Sequence, residues 1–217
     1  MESKTPTPAE VEKLLGPMLL RPLAAAAYEQ FAAYLNLLYR WNQRINLTAV
    51  RDPRQMAALH VGESVRCAQL LPEEARAVLD FGSGAGLPGI PIQIARPEMA
   101  VTLAESQIKK AAFLREAVRA LNLAQTTVHA GRANELSNCS TWNNLKGGFD
   151  VVTLRAVDRM DRALLDASHC LRTSGRLVVL TSRMEAKKVQ EVLRGIQWDE
   201  VDAIPGTEQR VLLAGRK

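Results

Sequence analysis

Residues 78–89, Val-Leu-Asp-Phe-Gly-Ser-Gly-Ala-Gly-Leu-Pro-Gly, constrain the possible folds of this chain more than any other stretch. A short apolar run contains an acid, and alternating glycines then precede an apolar segment that can begin a helix. Glycine tolerates positive φ and has no Cβ, so a ligand can lie against bare backbone. Free N–H groups at the start of the next helix favour negative charge. The order strand, glycine loop, helix therefore predicts a site for a flat or anionic ligand.

Strand patterns alternate with helical patterns from residue 77 onward. This alternation predicts an α/β fold with a parallel sheet, right-handed crossovers and helices on both faces. Ligands of such sheets bind at the carboxyl ends of the strands. We therefore expect one crevice, formed by the loops that follow the first four strands. The five expected parallel strands lie at about 78–81, 101–104, 126–129, 149–154 and 176–181.

The first 75 residues have a different pattern, with apolar residues at helical spacing. We expect helices over 8–22 and 23–43, then two separate short helices over 53–60 and 62–71. The sequence thus predicts an N-terminal helical extension, residues 1–75, packed on a main domain, residues 76–217. Within the extension, His60 is expected to be a hydrogen-bonded packing residue rather than a catalytic base.

Composition narrows the class of protein. A chain of 217 residues that is 47% hydrophobic can bury one sizeable α/β core. No apolar run has membrane-spanning length, and the first residues have no targeting pattern, so we expect a cytoplasmic protein. The cysteines at 67, 139 and 170 are scattered, which argues against a disulfide framework or a metal site.

The net charge of +5 is unevenly distributed. Residues 1–75 hold eight basic and eight acidic residues, so the other twenty basic and fifteen acidic residues carry the whole excess. A modest basic excess in the main domain is compatible with a nucleic-acid partner, although by itself it is weak evidence.

The glycine loop can be read in two registers. From Gly84 it matches G-x-G-x-x-G, a dinucleotide fingerprint, but Gly84 lies past the expected end of the first strand. From Asp80 it reads Asp-x-Gly-x-Gly-x-Gly, through Gly82, Gly84 and Gly86, and resembles the S-adenosylmethionine-binding motif of class I methyltransferases. Glu105, at the end of the second strand, is placed to accept ribose hydroxyls. We favour the second register and expect these residues to bind S-adenosyl-L-methionine.

The end of the fourth strand indicates the type of acceptor. It reads Thr-Leu-Arg-Ala at 153–156, without the Pro-Pro pattern common in methylation of exocyclic amines. No cysteine is placed for carbon methylation of pyrimidines, and no strong acid–base dyad is evident. This favours an acceptor such as guanine N7, which has no proton to remove, with orientation as the main catalytic device.

Several segments together resemble one family, RsmG, also called GidB. They are residues 46–53, His60-x-x-Glu-Ser64, 80–91, 110–115 and Arg155-Ala156, and the resemblance covers roughly residues 30–215. The Gly-x-Gly-Leu-Pro-Gly-Ile-Pro form of the loop is its most specific part. The resemblance implies a Rossmann-like class I methyltransferase fold and methylation of N7 of a guanosine in 16S rRNA of the small ribosomal subunit.

The resemblance also implies roles for individual residues. Gly82 and Leu87 would contact the cofactor, Glu105 would hold its ribose, and Ala133 and Asn134 would line its adenine. Arg155 would lie at the mouth shared by cofactor and substrate, as both a cofactor-binding and a catalytic residue.

This chain departs from the family at two places. Glu63 stands where the family usually has Asp, and Thr-Ser-Arg at 181–183 replaces a Lys-Gly pair. Arg183 could supply the charge of the missing lysine.

Basic residues near the expected crevice are candidates for contacts with RNA phosphates. Arg44 and Arg51 flank Asn46, and all three are candidates for binding RNA. The two arginines either contact phosphates or form a solvated loop surface. The further candidates are Arg159, Arg162, Arg183, Lys187 and Lys188. The expected partner is 16S rRNA, as the small subunit or an assembly intermediate, without a membrane or a metal.

Three other functions stay open at this point. One is an S-adenosylmethionine-dependent methyltransferase acting on a small molecule or a protein. A second is an NAD-dependent oxidoreductase using the glycines from Gly84 to Gly89. The third is a non-catalytic RNA-binding assembly factor that keeps the fold.

Overall fold

The fold is a mixed sheet covered by helices on both faces. The computed structural model describes residues 5–138, 148–156 and 160–217, without the side chains of 134, 137 and 138. The helices are α1 Pro8–Leu15, α2 Ala25–Asn42, α3 Pro53–Gln55, α4 Gly62–Leu70, α5 Gly89–Ala95, α6 Ile108–Ala120, α7 Met160–Cys170 and α8 Arg183–Val192. The strands are β1 Ala77–Phe81, β2 Ala100–Glu105, β3 Thr126–Ala130, β4 Phe149–Arg155, β5 Leu171–Ser182, β6 Gln197–Trp198, β7 Asp202–Ala203 and β8 Arg210–Arg216.

The strand order is β3-β2-β1-β4-β5-β8-β6, with β7 also paired to β8. The strands from β1 to β5 are parallel, and β8 is antiparallel to its three neighbours. The order reverses direction beside β1, so the loops after β1 and β4 diverge and leave a crevice there. This confirms the α/β prediction and places the glycine loop at the switch point.

One apolar core joins the N-terminal segment to the sheet. Buried side chains of α1, α2 and α4 pack in the same cluster as those of α5, α6 and β1. A second cluster, between the opposite face of the sheet and α7 and α8, completes the three layers. The division into an extension and a main domain at residue 75 stays a prediction, although the shared core agrees with an extension that packs on the sheet.

The prediction of two separate helices over 53–60 and 62–71 was wrong. The chain is continuously helical from Pro53 to Leu70, with a π-helical segment at Met56–Val61 between α3 and α4. The expected break lies between residues 60 and 62, but the backbone of Gly62 is helical, and a Cβ there would lie 2.7 Å from Cγ of Met18. The glycine permits close packing of the N-terminal segment rather than ending a helix.

Other boundaries differ by a few residues. The first helix ends at Leu15, followed by a 3₁₀ turn over Gly16–Met18 that contains a proline. The two closing strands expected at 197–204 and 208–214 are the short β6 and β7 and the longer β8. No helix in the described parts of the chain is long and apolar enough to cross a membrane.

Candidate active site

A cavity of about 840 Å³ opens at the carboxyl ends of the parallel strands. Its walls come from the glycine loop after β1, the end of β2, the end of β4, the helical stretch around His60 and the segment that leads into β8. Of the predicted cofactor residues, it brings together Gly82, Gly84, Leu87, Glu105 and Arg155. We call it the active-site cavity.

The glycine loop is bare where it faces this cavity. Gly82, Gly84 and Gly86 all have positive φ, at 74°, 54° and 82°. A Cβ on Gly84 would meet no heavy atom closer than 3.8 Å, so it would project into open space. A Cβ on Gly86 would lie 2.4 Å from Cδ1 of Ile90, and Gly86 does not line the cavity. Gly84 therefore leaves room for a ligand, whereas Gly86 leaves room for the core.

Asp80 holds the loop from inside the protein. It is only 1% exposed, and its carboxylate accepts hydrogen bonds from the Gly89 N–H at 3.1 Å and the Thr153 hydroxyl at 3.0 Å. Burial raises the pKa of Asp80 to about 6, although these hydrogen bonds favour the charged form. Asp80 does not line the cavity, so the structure places it behind the predicted cofactor site.

Glu105 faces the cavity beside the glycine loop. Its two carboxylate oxygens accept hydrogen bonds from the Gly84 N–H at 2.9 Å and the Gln107 N–H at 2.7 Å. These contacts tie the end of β2 to the glycine loop and fix the carboxylate. Each carboxylate oxygen has a further lone pair for a ligand hydroxyl.

The two residues predicted to line the adenine, Ala133 and Asn134, lie outside the lining of the active-site cavity. Ala133 begins the 3₁₀ turn Ala133–Asn138, is buried, and its carbonyl oxygen lies 3.7 Å from Sγ of Cys170. The side chain of Asn134 is outside the described part of the chain. Neither residue lines the active-site cavity, so their roles stay predictions.

Arg155 is the last residue of β4, and its side chain is held by residues of the helical stretch Pro53–Leu70. Its guanidinium donates to the His60 carbonyl oxygen at 3.2 Å and to Nδ1 of His60 at 2.7 Å. It also pairs with Glu63 at 3.1 Å, and its side chain is 9% exposed. Burial is the main reason that the pKa of Arg155 is lowered from its ordinary value.

Glu63 is shared by two arginines. Its oxygens accept two hydrogen bonds from Arg210, each 3.0 Å long, and its side chain is only 4% exposed. A buried carboxylate needs such partners, because an unpaired one is costly. The longer Glu at this position thus bridges β4 and β8, and the cavity wall keeps one surplus positive charge.

The hydrogen bonds of His60 define its tautomer. Arginine only donates, so Nδ1 accepts from Arg155, and Nε2–H then donates to the Thr48 hydroxyl at 2.8 Å. Burial first, and then the charges of Arg155 and Arg210, lower the pKa of His60 to about 3. This geometry agrees with the prediction of a hydrogen-bonded packing histidine.

Sequence reasoning missed two contacts with the site. Arg210 lies 147 positions after Glu63, and only the antiparallel return of β8 beside β5 brings it to the cavity. The Tyr34 hydroxyl, from α2, donates to the Ala85 carbonyl oxygen at 2.6 Å inside the protein. Tyr34 is not singled out by the sequence, because no local signal indicates a partner in the glycine loop.

The predicted RNA-binding residues that the structure describes occupy three places. Arg162 is exposed on α7, where it pairs with Asp166 at 3.1 Å, and Lys188 lies on α8. Arg44, Asn46 and Arg51 line a second cavity beside the first. Arg183 and Lys187 lie on α8, where the Arg183 N–H donates to the Gln209 carbonyl oxygen. Arg159 lies outside the described residues.

The cavity fits S-adenosyl-L-methionine. It combines a bare, positive-φ glycine, open space where a Cβ would project, and a fixed carboxylate at the end of β2. The glycine turn directly after β1, beginning at Gly82, supports the register from Asp80 over the dinucleotide register. Gly82, Gly84, Leu87 and Glu105 are the residues that would hold the cofactor.

Two solved structures that share this fold are described as methyltransferases. A S-adenosylmethionine-dependent methyltransferase from Aquifex aeolicus aligns with a TM-score of 0.57 at 13% identity, over 75% of this chain and 92% of that one. A predicted O-methyltransferase from Agrobacterium tumefaciens gives 0.58 at 18% identity, over 73% and 81%. At these identities the likeness shows the fold alone.

Sequence relatives define the family. The ribosomal RNA small subunit methyltransferase G of Stenotrophomonas maltophilia is 38% identical over 207 residues, which is 94% of this chain and 93% of that protein. The protein with the same name from Roseiflexus is 40% identical over 195 residues, covering 85% and 81%. The GidB family model, described as rRNA small subunit methyltransferase G, matches residues 27–210. With that match and these relatives, the chain belongs to the GidB family of small-subunit rRNA methyltransferases.

Proposed function

We propose that the protein transfers a methyl group from S-adenosyl-L-methionine to N7 of a guanosine in the 16S rRNA of the small ribosomal subunit. Membership of the family supports an rRNA substrate. The choice of N7 rests on the chemistry of the cavity wall. A cytoplasmic location follows from this proposal, because ribosomes assemble there.

The proposal rests on the hydrogen bonds of the cavity wall, where each carboxylate and imidazole group of the described residues already has protein partners. Among the described residues that line the cavity, Glu63 is paired with two arginines and Glu105 accepts from two backbone N–H groups. The His60 ring is committed at both nitrogens. Once the cofactor's ribose takes the remaining lone pairs of Glu105, no carboxylate or imidazole group of the described lining is free to remove a proton. Guanine N7 carries a lone pair and no proton, so it needs no such group.

The residues of the cavity therefore act by binding and orientation. S-adenosyl-L-methionine supplies a methyl group on a positively charged sulfur, which needs no further activation. The glycine loop and Glu105 fix the ligand side of the cavity, and Arg155 presents a held positive charge at the opposite wall. Correct placement of two reactants can by itself lower a barrier substantially.

Arg155 is the residue that we propose to contact the acceptor base. Its guanidinium is held by His60 and Glu63 rather than by solvent, so its direction is set before substrate binds. Guanine presents O6 and N7 as adjacent acceptors, and arginine is the usual side chain that reads this edge. Donation to O6 would leave N7 free for methylation.

The test is transfer of labelled methyl groups to four acceptors: naked 16S rRNA, small-subunit particles, total protein and small-molecule extract. We expect label only in the RNA of one or both ribosomal samples. Label in protein or small molecules would favour the other methyltransferase functions. Tight binding to the particle without transfer to any acceptor would favour an assembly factor.

A further inference from the structure

A second cavity, of about 660 Å³, lies beside the active-site cavity, between the end of α2 and the start of α6. Four cationic side chains line it: Arg44, Arg51, Lys109 and Lys110. None of the described residues that line it is acidic. Its chemistry is therefore that of an anion site. We call it the basic cavity.

The positive charges of the basic cavity are not neutralised by neighbours. No ion pair among the described residues involves Arg44, Lys109 or Lys110. Arg51 is held in place by neutral groups, the Asn42 carbonyl oxygen at 2.8 Å and Oδ1 of Asn46 at 3.1 Å. Because no carboxylate lies between them, the four positive charges repel one another, and a bound anion would reduce this repulsion.

One wall of the basic cavity is built around a buried amide. Asn42 is 2% exposed, and its side chain accepts from the N–H groups of Leu47 and Thr48 at 2.9 and 3.0 Å. It also donates to the Thr48 and Val50 carbonyl oxygens at 3.0 and 3.3 Å. These four bonds fix the turn that carries Arg44 and Arg51. The arginines are thus presented on a preorganised loop, which lowers the cost of binding.

The opposite wall is the start of α6, where positively charged residues occupy positions that are unfavourable for helix stability. Lys109 and Lys110 stand in the first turn of α6, which has no acidic residue and no side-chain cap. Cations at a helix N-terminus oppose the helix dipole and are therefore unfavourable there. Violations of local preference tend to lie at functional sites. The free N–H groups of that turn add to the attraction for an anion.

The two cavities are neighbours. Gln107 and Lys110 line both of them, so the basic cavity begins where the active-site cavity ends. A strand whose target base occupied the active-site cavity would carry its neighbouring phosphates across this boundary.

We propose that the basic cavity binds the backbone phosphates of the RNA strand next to the target guanosine. Arg44, Arg51, Lys109 and Lys110 are its phosphate-binding residues, and the two lysines act together with the start of α6. This inference rests on the proposed function, because it takes the strand that enters the active-site cavity as its ligand. Phosphate contacts would position the strand without reading its sequence.

The test compares two double variants that remove the same charge. Arg44→Gln with Lys109→Gln empties two cationic positions whose side chains are exposed and make no ion pair within the described residues. Arg115→Gln with Arg119→Gln is the control, since both arginines are exposed on the same helix and line neither cavity. Binding of each protein to unmethylated 16S rRNA, with S-adenosylhomocysteine present, is measured over a range of salt concentrations.

We expect the basic-cavity variant to bind the RNA about tenfold more weakly near physiological salt. The slope of log affinity against log salt should become shallower by about 1.5, since each lost phosphate contact on a single strand contributes about 0.7. The control should keep both the affinity and the slope of the wild type. Calorimetry should give the same S-adenosylmethionine affinity for all three proteins, which shows that the folds are intact.

Equal slopes for the wild type and the basic-cavity variant would overturn this assignment, as would equal losses in the variant and the control. Failure of the proposed function has a different signature. In that case the wild type would transfer no methyl group to RNA, while the comparison of binding slopes would still decide whether the basic cavity holds phosphates.

Discussion

Arg155 shows how a buried charge can be both tightly held and replaceable. Its partner Glu63 is also bound by two hydrogen bonds from Arg210, so loss of Arg155 leaves that carboxylate paired. The large penalty for an uncompensated buried charge is thereby avoided. The next residue, Ala156, has a φ of 47°, a conformation that non-glycine residues rarely adopt, and it too lines the cavity. Strain of this kind concentrates at functional sites.

Replacement of Arg155 by alanine should therefore separate activity from folding. We expect methyl transfer to RNA to fall about 100-fold, as for loss of one preorganised electrostatic donor. The midpoint of thermal unfolding should change by only a few degrees. Arg115→Ala, at an exposed position of α6 that lines neither cavity, serves as the control and should leave both unchanged. A wild-type rate for Arg155→Ala would remove this residue from the site.

His60 should give the protein a distinct pH dependence. The pKa of His60 in the folded protein, about 3, lies below its ordinary value of 6.5. Between pH 3 and pH 6.5 the folded protein therefore binds fewer protons than the unfolded chain. Stability from this group is full above pH 6.5 and is lost as the pH falls toward 3. The slope for a single group is at most about 1.4 kcal/mol per pH unit.

The comparison is with His60→Asn, which keeps an acceptor near Arg155 but cannot titrate. Between pH 6.5 and 5 we expect the free energy of unfolding, from denaturant titrations, to fall more steeply for the wild type by about 1 kcal/mol per pH unit. Asp80, whose pKa of about 6 is raised, acts in the opposite direction but equally in both proteins. Parallel curves for the two proteins would contradict the assigned state of His60.

The glycine loop is the element that the sequence predicts best. Its signal is local: an apolar strand, alternating glycines and a helix start occupy one short stretch, and their geometry follows from backbone sterics. The helical stretch over 53–70 is predicted less well, because Gly62 has a helical backbone and is needed for packing against Met18, 44 positions earlier. Sequence pattern cannot distinguish a glycine that ends a helix from one that accommodates a neighbour.

Two glycines of the loop should respond differently to the same substitution. Gly84→Ala places a methyl group in the open part of the cavity, so we expect S-adenosylmethionine affinity to fall at least tenfold. Its positive φ of 54° should cost about 1–2 kcal/mol of stability. Gly86→Ala places a methyl group 2.4 Å from Ile90, so stability should fall further, by about 1–3 kcal/mol more than the strain alone.

Calorimetry with the cofactor and denaturant titration measure these two effects. Gly16→Ala is the control, because nothing lies within 4 Å of its added Cβ and its φ of −42° suits alanine. Unchanged cofactor affinity in Gly84→Ala would show that the ligand does not occupy the space in front of this residue.

In the molecule as a whole, the N-terminal helices form part of the site. The helical stretch supplies His60 and Glu63 to one wall of the active-site cavity, and the loop between α2 and α3 supplies Thr48. From α2, Tyr34 bonds to the glycine loop on the side away from the cavity. The sequence predicts that these helices pack on the sheet, because they have one apolar face. It cannot predict the pairs Tyr34–Ala85 or Glu63–Arg210, since these depend on tertiary contacts between distant positions.

The hydrogen bond from Tyr34 to Ala85 provides a test of this coupling. Tyr34→Phe removes the donor and leaves a buried carbonyl group unsatisfied, so we expect a loss of about 1–3 kcal/mol in the free energy of unfolding. Cofactor affinity should also fall several-fold, because the loop is less firmly held. Tyr39→Phe, on the same helix and only half-buried, should change neither quantity. Equal effects of both substitutions would argue against a specific role for α2 in holding the loop.

Chemical mapping of the RNA identifies the atom that the protein methylates. Unmethylated 16S rRNA, naked and in small-subunit particles, would be incubated with the protein and S-adenosyl-L-methionine. Borohydride reduction and aniline treatment then break the strand at N7-methylguanosine. We predict a new break at one guanosine, absent when the protein is omitted and strongly reduced with Arg155→Ala. Methyl incorporation without any such break, or no incorporation into either RNA sample, would contradict the account.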